Sequence, residues 1–161
     1  MKNNSNPSSL TKNKLTPDVE KKVLFVCIHN SARSQMAEAF LRRFAGDRYE
    51  AKSAGIEPGK LNPVAVDAMR ETGIDISAHG TKTVRQLLEQ KEAFDHVITV
   101  CDEGHARKCP VFPGEGKRLH MGFPDPAAFE GSYAQKLEQM RAVRDAIKAQ
   151  IQDWIKNQGQ D

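Results

Sequence analysis

The residues best suited to chemistry sit close together in Cys27-Ile28-His29-Asn30-Ser31-Ala32-Arg33-Ser34, where five residues separate a cysteine from Arg-Ser. The apolar run Val23-Leu24-Phe25-Val26 precedes this stretch and an amphipathic run from Gln35 to Ala45 follows it. That order predicts strand, tight loop and helix, with the thiol at the strand's carboxyl end. Such a loop favours an oxyanion. Backbone N–H groups can turn inward, and the following helix adds the positive end of its dipole. Arg33 can grip two oxygens of a tetrahedral anion at once. The same field favours the thiolate form of Cys27, which is the nucleophile. Ser34 can donate to the sulfur, and Asn30 tolerates the left-handed backbone that a curled loop needs. The plain alternative is a buried structural cysteine ahead of an ordinary helix.

Two more thiols, Cys101 and Cys109, flank the polar segment Asp102-Glu103-Gly104-His105-Ala106-Arg107-Lys108. Three thiols suffice for a two-electron reduction by disulfide exchange, provided each attacking sulfur reaches the last. The alternative is a pair of bystander cysteines in a polar loop. Asp125 stands before Pro126, as a general acid or simply as a turn former.

The elements that must position these groups are legible. Val23–Val26 reads as a central parallel strand, apolar on both faces. Met36, Phe40, Leu41 and Phe44 share a helix face, with Gly46 as its stop. Tyr49–Ser53 is a weaker strand. Asn62-Pro63 opens a helix that Gly73 closes. Val84–Gln90 is a short helix, Val97–Val100 a third strand and Lys117–Met121 a fourth. Tyr133–Lys156 is the final helix, with a core stripe from Tyr133 through Leu137, Met140, Val143, Ile147, Ile151 and Trp154 to Ile155. Alternating strands and helices imply an α/β fold, a parallel sheet with helices on both faces. In such sheets the ligand lies beyond the carboxyl ends of the strands, and Cys27, Cys101 and the Asp125 loop all follow strands at that edge.

The 161 residues fit one domain. Residues 1–21 are rich in Asn, Ser, Lys, Thr and Pro and predict a disordered tail without a secretory signal; residues 22–158 form the domain. The net charge of +3 resides wholly in the tail region, leaving residues 23–161 neutral. A nucleic-acid role therefore has no electrostatic support from the domain, and no stretch is apolar enough to span a membrane. Three cysteines without a signal sequence point to a reducing cytoplasm. The histidines show no zinc spacing with the cysteine pair; His79, His96 and His120 read as structural, and His29 is given no role.

The chain from Val23 to Ile155 resembles the arsenate reductases built on the low-molecular-weight tyrosine phosphatase fold and recycled by thioredoxin. The resemblance rests on Cys27 to Ala39, Ser53-Ala54-Gly55-Ile56-Glu57, Asn62-Pro63, Ile74-Asp75-Ile76-Ser77, Cys101, Cys109-Pro110 and Asp125-Pro126. It implies a three-layer α/β/α domain with a four-stranded, flavodoxin-like parallel sheet. The backbone of residues 28–34 would bind arsenate, a phosphate mimic. Cys27 would attack it and Asp125 would protonate the leaving oxygen. Cys101 would then release arsenite by forming a disulfide with Cys27, and Cys109 would move that disulfide to Cys101–Cys109 for thioredoxin. No bound cofactor or metal is expected, and the protein is taken as a monomer.

Two departures stand out. Ala32 occupies a position where the family often has a second loop cysteine. Some relatives hold a potassium ion beside the loop; Asn30, Glu38 and Ser53 match three of its ligands, but Lys82 replaces the aspartate. The Lys82 ammonium would repel a cation and stand in for its charge against Glu38, or be an ordinary solvated charge, so no potassium is expected. The competing function is a low-molecular-weight protein tyrosine phosphatase working through a cysteinyl-phosphate. Against it, Ala127 and Ala128 follow Asp-Pro where such phosphatases carry an aromatic residue. A non-catalytic oxyanion or redox sensor is a third reading.

Overall fold

The computed structural model describes residues 21–57, 59–102, 114 and 116–158. The predicted tail lies outside them except for Lys21. Four strands form one sheet: β1 (Lys21–Cys27), β2 (Tyr49–Gly55), β3 (His96–Thr99) and β4 (Lys117–His120). Their order is β2-β1-β3-β4 and every pairing is parallel. The helices are α1 (Arg33–Ala45), α2 (Pro63–Arg70), α3 (Val84–Glu89) and α4 (Tyr133–Gln158), with a 3-10 turn at Pro126–Ala128.

β1 is central because both its faces are apolar. Val23, Phe25 and Cys27 point into the core shared with α1, α2 and α4, whereas Leu24 and Val26 join the smaller core under α3. Alternation along one strand thus feeds both layers. Full burial of each such side chain contributes about 1.5–3 kcal/mol, so β1 anchors the fold. Asn62 caps α2, its Oδ1 accepting from Val64 N–H at 2.8 Å, and Pro63 fills the first turn. α4 packs Met140, Val143, Ile147, Ile151 and Trp154 inward, while Tyr133, the first residue of the predicted core stripe, is 50% exposed and lies outside the core.

β2 runs two residues beyond its predicted end, to Gly55, which pairs with Cys27. Glycine reads as a strand breaker in a sequence. Here it stays in the strand because the loop after β1 lies directly on it. β4 is an exposed edge strand whose basic residues keep the edge from pairing further.

Candidate active site

The loop from Cys27 to Ser34 closes over the carboxyl end of β1 and passes straight into α1, which starts at Arg33 rather than at the predicted Gln35. Its carbonyls are held from outside. Ile56 N–H donates to Cys27 O at 3.1 Å, Glu57 N–H to Ile28 O at 2.9 Å, and Asn62 N–H to Ser31 O at 2.8 Å. Gln35 Nε2 donates to Asn30 O at 3.1 Å. In a trans peptide the C=O and the following N–H point in opposite directions. The N–H groups of Ile28, His29, Ser31 and Ala32 therefore turn to the loop's inner side. Asn30 takes the left-handed backbone, φ 59°, and its own N–H donates to Cys27 Sγ at 3.2 Å. No side chain caps α1, so its first N–H groups also remain available to an anion.

Gly55 makes this packing possible. A Cβ there would lie 2.7–2.8 Å from Asn30 N, His29 C and Ile28 O, all backbone atoms that cannot step aside.

Cys27 is buried, and Ser34 Oγ lies 2.9 Å from its sulfur. The guanidinium of Arg33, also buried, donates to Phe123 O at 3.0 Å and sits 3.5 Å from Asp125 Oδ1. Arg33 thus ties the oxyanion loop to the loop after β4. Asp125 is about one-third exposed at its side chain and its Oδ1 accepts from Ala127 N–H at 3.0 Å. That carboxylate both stands at the mouth and makes the turn that its Asp-Pro sequence suggests.

Lys82 supports the loop through its backbone. Its N–H donates to Asn30 Oδ1 at 2.9 Å and its carbonyl accepts from Gly55 N–H at 2.8 Å. The expected ammonium compensation of Glu38 is replaced: Ser53 Oγ donates to Glu38 Oε1 at 2.5 Å, and Arg42 Nη2 meets Oε2 at 2.8 Å. Arg42, one helical turn on, reaches that carboxylate without crossing the loop. Among the described residues, no group of three His, Cys, Asp or Glu is placed to hold a metal ion.

Gln35 is the supporting residue that sequence reasoning missed. Fully buried, its Nε2 donates to Asn30 O and Oδ1 and to Gly80 O at 3.0–3.1 Å, and its Oε1 meets His79 Nδ1 at 3.2 Å. The only available signal was an amide in the first turn of a helix that otherwise buries apolar groups. His29 is half-exposed, with Nδ1 3.8 Å from Glu57 Oε1.

Cys101 follows β3 beside Cys27. Val26 is in register with Thr99, and Val100 N–H donates to Val26 O at 2.9 Å. The two cysteines therefore leave adjacent strands, and both are buried in the larger core. Cys27 is a free thiol, whereas Cys101 is disulfide-bonded. Cys109 and residues 103–108 lie outside the described residues.

A buried thiol at the carboxyl edge of a four-stranded parallel sheet opens a loop of inward N–H groups beside a buried guanidinium, an arrangement of the kind that suits an anion. The family model described as low molecular weight phosphotyrosine protein phosphatase matches residues 22–161, and the chain belongs to that family. It is 46% identical over 136 residues to an arsenate reductase of Halalkalibacterium halodurans, an alignment covering 84% of this chain and 95% of that one. A solved arsenate reductase in its phosphate binding state superposes with a TM-score of 0.69 at 31% identity, covering 85% and 98% of the two chains. A thioredoxin-dependent arsenate reductase of Corynebacterium glutamicum gives a TM-score of 0.56 at 29% identity, covering 89% and 67%.

Proposed function

We propose that the chain reduces arsenate to arsenite and passes the oxidation through Cys27, Cys101 and Cys109 to thioredoxin. The thiolate of Cys27 attacks the arsenic, and an oxygen leaves as water after taking a proton from Asp125. Residues 28–34 bind the remaining oxygens through inward N–H groups and Arg33. Cys101, as thiolate, attacks Cys27 Sγ. The sulfur–arsenic bond breaks, its electron pair stays on arsenic, and arsenite departs. Cys109 attacks Cys101, which frees Cys27 and leaves a Cys101–Cys109 disulfide. The dithiol of thioredoxin reduces that disulfide and is itself oxidised.

The observation that carries this reading is that Cys27 ends β1 while Cys101 follows β3, the parallel neighbour of β1, with both cysteines buried in one core. The relatives' names support the substrate, and the Corynebacterium enzyme's name supports the reductant. A reducing cytoplasm is the setting such a relay needs.

The test is arsenate-dependent NADPH oxidation with thioredoxin and thioredoxin reductase, alongside aryl-phosphate hydrolysis. Wild type should oxidise NADPH; Cys101→Ser and Cys109→Ser should stop while hydrolysis survives. Brisk hydrolysis by all three proteins without NADPH consumption would instead establish the phosphatase, which the family match and the Arg33–Asp125 pair also accommodate.

A further inference from the structure

A cavity of about 570 Å3 opens at the amino-terminal edge of the sheet, at the opposite end from Cys27. All four strands begin there: Lys21 of β1, Tyr49 of β2, His96 of β3 and Lys117 of β4 contribute to its lining, with Phe94 and Asp95 ahead of β3. Its volume falls in the range of small-molecule sites and exceeds what a bare inorganic ion fills.

The lining joins an aromatic wall to an excess of positive charge. Tyr49, Phe94 and His96 are nearly buried, and Trp154 backs two of them, its ring centroid 5.2 Å from Tyr49 and 5.0 Å from His96. Lys21 and Lys117 are exposed and enter no ion pair among the described residues. The one lining carboxylate, Asp95, already accepts from Lys22 N–H at 2.7 Å. Burial lowers the His96 pKa below its ordinary value, Lys117 and Lys21 lower it further, and Asp95 opposes them. Two lysines thus face one carboxylate.

We propose that this cavity binds a small organic anion, with its acidic group between Lys21 and Lys117 and its apolar body against Phe94 and Tyr49. The site is separate from the oxyanion loop and independent of the activity assigned to it. Its occupant would reach the amino ends of the same two strands, β1 and β3, that lead to Cys27 and Cys101.

The probe is 2-naphthalenesulfonate, titrated by NMR into the full chain with inorganic phosphate present to fill the oxyanion loop. Saturable shifts are expected at Lys21, His96 and Lys117, together with a rise in the pH midpoint of the His96 ring signals. Replacing both lysines (Lys21→Gln with Lys117→Gln) should weaken binding about tenfold, as expected for two partly exposed charge contacts. Lys21→Arg with Lys117→Arg should restore it, which separates loss of charge from loss of fold. Shifts confined to residues 27–34, or equal affinity in the glutamine variant, would overturn the site.

Discussion

Asn30 Nδ2 donates to Ser34 Oγ at 2.8 Å, and that bond decides what the serine can offer Cys27. The orientation of the amide is fixed, because Asn30 Oδ1 accepts from the backbone N–H of Lys82, which can only donate. Ser34 Oγ is therefore an acceptor toward Asn30, and its hydroxyl hydrogen is left for the sulfur 2.9 Å away. With the Asn30 N–H, this gives a thiolate two donors before any substrate arrives.

Ser34→Ala removes one of those donors without disturbing the backbone. A hydrogen bond to a charged group contributes about 1.5–3 kcal/mol, so kcat/KM for arsenate should fall roughly ten- to a hundredfold. The rate of Cys27 alkylation by iodoacetamide at neutral pH should fall with it. An unchanged alkylation rate would show that the serine acts elsewhere.

Asp125→Asn keeps the turn, since an amide oxygen can still accept from Ala127 N–H, but removes the proton donor. Loss of a general acid costs about 10²–10⁴ in rate. Single-turnover arsenate reduction should slow by that factor while phosphate affinity changes little. A variant with near wild-type turnover would remove Asp125 from the chemistry.

Gly55→Ala forces a methyl group onto the backbone of the oxyanion loop. Overpacking of this kind costs about 1–3 kcal/mol. Chemical denaturation should show that loss, and phosphate binding measured by calorimetry should weaken because the loop must move off its strand.

Glu71 links α2 to α4. Arg141 holds it through three hydrogen bonds, Nε to Oε1 at 3.0 Å and to Oε2 at 3.2 Å and Nη2 to Oε2 at 2.7 Å, and Arg144 Nη1 reaches Oε1 at 2.8 Å. Hydrogen bonds from Arg141 and then Arg144 lower the Glu71 pKa from 4.5 to about 2. The folded value lies below the unfolded one, so this contribution to stability is complete above pH 4.5 and is lost as pH falls through about 2. Glu71→Gln should melt at a lower temperature than wild type at neutral pH, and the two curves should converge in acid. A gap that stays constant with pH would rule out the carboxylate as its cause.

Potassium should not stimulate this protein over sodium at equal ionic strength. Both oxygens of Glu38 are already engaged, by Ser53 and by Arg42. A clear difference between steady-state rates in the two salts would mean that a cation competes with that arrangement.

Much of the site was open to a reader of the sequence. An apolar run, a cysteine, five residues and Arg-Ser dictate strand, loop and helix, because chain direction and helix dipole leave few other places for an anion. Parallel topology then brings Cys27, Cys101 and Asp125 to one edge, since β-α-β connections set the strand directions. Helix ends marked by Asn62-Pro63 were equally clear, because capping is local chemistry.

What only the tertiary structure decided concerns contacts between residues distant in sequence. Gly55 belongs to a strand because the loop from Cys27 lies on it. Lys82 matters through its backbone, and Arg42, not Lys82, neutralises Glu38. Gln35 proves to be the buried brace of Asn30, and Arg33 reaches the carbonyl of Phe123, ninety residues away. Sequence patterns record periodicity and local turns, so they fix which elements form. Partners for buried polar groups are set by which elements meet, and that is known only once the chain has packed.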